Sequence, residues 1–333
     1  MQQRNSSNLA HRNQSVDLAK IIAMVGVIML HTFSTDFFYY LSVIAIPLFF
    51  MSLGYIQLGK EKVNLKYCAL KIWHILRFVV LFTLFVAIFN SIISPDFSVS
   101  VQDLPEYILG SLIQKGGYGI FWFFGALIIL YAFMPLINKL YISSAGWFNI
   151  LTILLILIMN IVFIEDILHL RYGWKSEQEI SQTFRLYNWF GYLCLGGLIK
   201  RYKFNFIGSR YLLILLLPLI YLFQLRYIPY IGSMCCEYYY SSLPVTFFVS
   251  VIFILCLKIK INNSKIISSL STLFLPVYSL HLLILIYTFP VLYKLELSAG
   301  PYNVYLFLIV LSVSLGLSGL LMKIPVLKKF FSI

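Results

Sequence analysis

The chain has 333 residues, of which 61% are hydrophobic, 17% aromatic and only 11% charged, and its formal net charge is +13. Soluble domains carry roughly 25% charged residues, so a soluble enzyme, a disordered chain and a disulfide-stapled secreted fold are all disfavoured. A polytopic membrane protein remains, and its basic excess then reads as topology determinants and head-group contacts rather than a nucleic-acid surface.

At about 20 apolar residues per spanning helix, ten segments can be drawn: 16–34, 41–58, 73–93, 120–140, 147–164, 186–199, 211–225, 243–257, 270–293 and 302–322. Backbone polar groups in the bilayer core must be satisfied within each segment, so each is read as a helix. The expected fold is an all-α, polytopic membrane bundle of about ten transmembrane helices, one domain over residues 1–333. Residues 1–15 and 324–333 form cytoplasmic tails. The first segment is an uncleaved helix, because no clean small-residue cleavage site follows it. Alternating the segments from a cytoplasmic N terminus puts most lysines and arginines inside, and every acid but Asp17 and Glu61 outside. That is the positive-inside pattern, and it sets both termini in the cytoplasm.

Ionisable groups within spans are costly and tend to mark sites or pathways. The first segment holds Asp17, Lys20 and His31. Lys20 and His31 lie about 16 Å and close to three turns apart on a helix, so they share nearly one face. An imidazole is a proton carrier near neutral pH; it also serves as a packed group bonded to a neighbouring helix, and the sequence leaves both open. Asp17 stands three residues before Lys20, within reach for a pair on one helix. Lys71, His74 and Arg77 open the third segment as a basic edge, suited either to clamping phosphate or to snorkelling toward head groups.

Trp122 opens the fourth segment, which runs on through Tyr131 and Pro135; aromatics at a helix end also fit the interfacial belt. The ninth segment carries Tyr278, Ser279 and a second histidine, His281. Residues 116–119 (Gly-Gly-Tyr-Gly) read as a flexible turn, and Glu165 and Asp166 as a solvated pair. No P-loop, Rossmann or serine-elbow motif occurs, and the five cysteines show no zinc-type spacing, so no metal is expected. A transporter or flippase for lipid-linked sugars would share the span count and basic inner face, but no inverted repeat is evident.

Taken in order, these pieces resemble the acyltransferase-3 family of integral membrane acyltransferases. Asp17, Lys20 and, after ten intervening residues, His31 are similar to that family's Asp-x-x-Arg…His signature, with lysine where arginine is usual. Pro47-Leu48-Phe49-Phe50-Met51-Ser52-Leu53-Gly54-Tyr55 resembles its Pro-Leu-Phe-Phe segment ending Ser-Gly-Tyr, with Leu53 in the serine's place. His74-Ile75-Leu76-Arg77 resembles its Arg-x-x-Arg motif, with histidine for the first arginine. The tryptophan-led run from Trp122 to Pro135, the stretch from Phe190 to Gly197, and Val277-Tyr278-Ser279-Leu280-His281 are similar to its later motifs.

The resemblance implies an O-acyltransferase of the bacterial inner membrane, of the single-domain type. It would move an acyl group, usually acetyl, from cytoplasmic acetyl-CoA or another acyl-CoA to a sugar hydroxyl. The acceptor would be a surface polysaccharide such as O-antigen, capsule or exopolysaccharide, or its lipid-linked precursor. It further implies that His31 is catalytic, as general base or acyl-carrying nucleophile. Lys20, Lys71, His74 and Arg77 would bind acyl-CoA, and Asp17, Trp122, Tyr131, Tyr278 and His281 would support the site. Expected partners are the donor, the glycan acceptor and membrane lipids.

Overall fold

The computed structural model describes residues 13–33, 37–93, 99–172, 180–203, 210–231, 236–261, 264–296 and 298–331; the segment 1–12, most of the expected N-terminal tail, lies outside the described residues. The helices are α1 (Gln14–Thr32), α2 (Phe37–Leu41), α3 (Ala45–Gln57), α4 (Leu65–Ile93), α5 (Leu104–Leu112), α6 (Trp122–Ser143), α7 (Ala145–Tyr172), α8 (Leu186–Tyr202), α9 (Arg210–Ile231), α10 (Leu243–Lys258), α11 (Lys265–Thr272), α12 (Phe274–Tyr293), α13 (Ala299–Leu321) and α14 (Pro325–Phe330). Short 3-10 turns lead into α3, α6, α8 and α10.

Among the described residues, seven helices are long and apolar enough to cross a membrane: Gln14–Thr32, Phe38–Gln57, Leu65–Ile93, Gly119–Ser143, Ala145–His169, Phe274–Tyr293 and Ala299–Leu321. The chain is thus an all-α, multi-pass membrane bundle. The other three predicted segments fall on α8, α9 and α10. α8 and α10 have 17 and 16 residues, about 25 Å of helix, short of a roughly 30 Å hydrocarbon core.

Helix boundaries depart from the sequence reading for identifiable reasons. α4 starts at Leu65, before the apolar run, where the Asn64 side chain accepts the Tyr67 N–H at 3.0 Å. Its polar first turns need no bilayer, because lysine stems can lie along apolar surface. The segment 270–293 is broken at Leu273, between α11 and α12. Pro276 has no N–H for the Thr272 carbonyl and its ring crowds that position, so the helix is interrupted one turn ahead of it.

The hub is α1, which packs against α3, α10, α11, α12 and α13. Small residues permit this: Ala19, Ala23 and Gly26 are buried, and a Cβ on Gly26 would come within 2.9 Å of the Ala45 Cβ. Its N-terminal end is tied to α11 by polar bonds. The Gln14 Nε2 donates to the Ser268 Oγ at 3.2 Å, and the Ser271 Oγ donates to the Asp17 Oδ1 at 2.7 Å. α3 and α8 approach closely, because a Cβ on Gly54 would fall 1.8 Å from the Leu193 carbonyl oxygen and one on Gly196 2.0 Å from that of Met51. Two smooth faces meet there, as in small-residue membrane crossings.

Two loop expectations are corrected. Residues 116–119 are not a loose turn: a Cβ on Gly117 would fall 1.5 Å from the Tyr107 ring, and Tyr118 is buried. Glu165 and Asp166 lie on α7 rather than in a loop; Glu165 is exposed but Asp166 is fully buried, so they are not a solvated pair. At the other end of the chain, α14 folds back. Its Phe330 ring packs 4.9 Å from that of Phe78, and the next residue, Phe331, is buried 5.6 Å from the same ring.

Candidate active site

A cavity of about 250 Å³ opens beside the first turns of α1. Lys20 and Lys71 line it together with Gln57, Tyr131, Ser271 and Phe331, and Phe49, Phe123, Phe124 and Phe274 are among its apolar walls. Lys71 faces inward because Cys68, Ile75 and Phe78, at i−3, i+4 and i+7 from it, form the buried side of α4. Both Lys62 and Lys71 sit over the Tyr67 ring, at 5.9 and 5.8 Å from its centroid.

Arg77 lies about 120° round the helix from Lys71 at 3.6 residues per turn, and is exposed. His74 falls between them and is half-buried. Neither lines this cavity. Of the four expected acyl-CoA contacts, the fold therefore brings Lys20 and Lys71 together and leaves His74 and Arg77 to the side.

The basic loop beside the cavity is built rather than loose. Gly59 has φ +81°, a conformation that a side chain strains. The Asn138 side chain on α6 clasps the loop on both sides: its Oδ1 accepts the Gly59 N–H at 2.7 Å, and its Nδ2 donates to the Lys60 carbonyl at 2.9 Å. The Lys200 Nζ donates to the Leu58 carbonyl. Burial holds the Lys60 ammonium below its usual range, and the charges of Lys62, Lys200 and Lys20 push it further down. Cations held this close repel one another, so an anion placed among them is favoured.

The second part of the site lies toward the other end of α1. Tyr278 joins the two. Its ring stacks on Phe274 at 6.1 Å and meets Phe123 and Phe124 at 5.1 and 5.7 Å. On its other side it lies 5.7 Å from the His281 ring. The Tyr278 hydroxyl donates to the Ile120 carbonyl at 2.5 Å, and the Tyr118 hydroxyl donates to the Ser279 carbonyl at 2.6 Å. This reciprocal pair pins the entry to α6 against α12.

His281 is fully buried, and its ring centroid lies 5.2 Å from that of His31. His31 sits in the last turn of α1. The residue is exposed at that end of the helix. A reachable imidazole in such a setting can take a proton from a bound hydroxyl.

The remaining expected residues are placed as follows. Tyr131 is buried and lines the cavity. Asp17 is buried on Ser271. Trp122 is buried against Trp189 at 5.2 Å and is not a cavity residue. Sequence reasoning missed Gln57, Tyr118, Asn138, Ser271 and Phe331. A Phe330-Phe331 pair beside two lysines in a presumed tail was a readable sign of docking; the other four became visible only when distant helices met. Among the described residues, no group of three or more His, Cys, Asp or Glu could hold a metal ion.

No curated protein and no solved structure matches the chain. A family profile described as an acyltransferase domain matches residues 13–323, taking in Lys20 and Lys71 of the cavity and the two histidines. The protein is therefore an acyltransferase acting at the membrane, and it belongs to the acyltransferase-3 family.

Proposed function

We propose that the protein transfers an acetyl or other short acyl group from cytoplasmic acyl-CoA to a sugar hydroxyl of a surface polysaccharide or its lipid-linked precursor, in the bacterial inner membrane. Ten spans with both termini in the cytoplasm complete this reading. α8, α9 and α10 then cross along with the seven other helices.

The observation that carries it is the layout of α1. Lys20 lines a cavity shared with Lys71 at one end of the helix, and His31 stands exposed at the other, beside His281. An aromatic run through Phe274 and Tyr278 to His281 connects the two ends. A donor with anionic phosphates at one end and a reactive thioester at the other fits such a bipolar path. Lys20 and Lys71 hold the phosphates, assisted by the charged loop at Lys60 and Lys62. The cavity walls take the apolar stem of the donor arm. His31 accepts the proton of the sugar hydroxyl as its oxygen attacks the acyl carbon, and the proton then passes to the departing thiolate.

The test compares cells carrying the wild-type gene, a His31→Ala version or a deletion. Acetyl signals on extracted surface glycan are read by NMR before and after mild base. Base-labile acetyl should appear only with wild type, while the variant accumulates equally in the membrane. General-base removal costs about 10²–10⁴ in rate, so normal acetylation by the well-expressed variant would sink the assignment of His31.

A further inference from the structure

His281 is buried in apolar surroundings, and one side of its ring is fully accounted for. The Nδ1 lies 2.6 Å from the Tyr278 carbonyl oxygen. A carbonyl only accepts, so Nδ1 carries the hydrogen and donates it. In the neutral ring the Nε2 then bears the lone pair. That atom is buried and has no hydrogen-bond partner among the described residues. The nearest imidazole is His31, at 5.2 Å between centroids with the planes inclined by 38°. A bare acceptor of this kind is costly unless something donates to it.

We infer that His281 is the positioning residue for His31: its Nε2 accepts a ring N–H of His31, fixing the tautomer whose other nitrogen faces the acceptor hydroxyl. The hydrogen bond is open in this structure. Such bonds often close only when substrate fills the site. The chain of donors runs His31 N–H to His281 Nε2, then His281 Nδ1–H to the Tyr278 carbonyl, while the Tyr278 hydroxyl holds Ile120. A neutral imidazole here does the orienting work that a carboxylate does in other base–orienter pairs. The cation that forms on His31 then has no buried carboxylate partner in this chain of donors, and its proton is passed readily to the departing thiolate. His281 takes no net proton. The inference rests on His31 acting as base.

Two substitutions separate the roles of the two ring nitrogens. In His281→Gln the side-chain oxygen can take the place of Nε2 as acceptor. In His281→Asn the amide can replace the Nδ1–H donor, but nothing stands where Nε2 was. CoA release by purified protein gives kcat and KM for acyl-CoA. We expect His281→Asn and His281→Ala to lose about 10–100-fold in kcat, the usual cost of losing an orienting partner, with KM little changed. His281→Gln should recover most of that loss. Activity in His281→Asn with loss in His281→Gln, or equal loss in both, would overturn the role of Nε2. Should the variants fail to fold, ¹⁵N-histidine solid-state NMR on the unmutated protein reads the tautomer directly. A proton on the Nε2 of neutral His281 would overturn the inference. Normal transfer by His31→Ala would instead remove the base reading beneath it, so the two failures are distinguishable.

Discussion

Lys71 and Arg77 are six residues apart on α4, yet one lines the cavity and the other is exposed. The sequence reading grouped them as one basic edge. In a membrane helix the lipid side is as apolar as the core side, so hydrophobic periodicity does not mark which face turns inward. The Lys20–His31 relation was legible because both residues ride one helix and need only its pitch. The meeting of His31 with His281 depends on α1 and α12 lying side by side, which no local pattern encodes. The same distinction makes a prediction. Lys71→Ala should raise KM for acyl-CoA by about tenfold or more, the worth of one charge-assisted hydrogen bond, with kcat nearly unchanged. Arg77→Ala should move KM less. Titration of CoA release against acyl-CoA decides between them, and a larger effect at Arg77 would mean that the donor enters along another face of α4.

At the scale of elements, the close crossing of α3 and α8 fixes where the cavity's inner wall stands. Phe49 lines the cavity from α3, and Phe50 on the same helix packs 4.9 Å from Trp189 of α8. Gly54 and Gly196 let the two helices approach to backbone contact. Gly54 was visible in the sequence only as part of a motif, Pro47 to Tyr55; its packing reason emerged when Leu193 was found opposite. The break at Leu273 was hidden in the same way, because the apolar run continues through Pro276 and reads as one span. Gly54→Val would drive a Cβ into the Leu193 carbonyl, where the obstacle is backbone and cannot rotate away. Overpacking of this kind costs roughly 1–3 kcal/mol. Thermal unfolding of the detergent-purified protein should therefore shift downward, and folded yield with it. Gly316→Val, in open space on α13, should leave both unchanged. Equal behaviour of the two variants would contradict the close crossing.

For the whole molecule, charge decides whether α8, α9 and α10 cross the bilayer. Suppose only the seven long helices crossed. The loop at Lys200, Arg201 and Lys203, the loop at Lys258 and Lys260, and the terminal Lys328 and Lys329 would then all face outward. That arrangement opposes the positive-inside bias. Letting α8, α9 and α10 cross returns every one of these groups to the cytoplasm. A 16- or 17-residue helix can still span when flanking lysines and arginines reach out to the head groups or the bilayer thins locally. Single cysteines placed in a cysteine-free background at the exposed positions Val101, Lys203, Lys260 and Leu295 separate the two arrangements. With ten spans, a membrane-impermeant maleimide labels positions 101 and 295 from outside, and reaches 203 and 260 only after the membrane is opened. With seven, positions 203 and 260 label from outside and 295 does not. We expect the first pattern, because it alone leaves Lys20, Lys60 and Lys200 on the side from which a cytoplasmic acyl-CoA arrives.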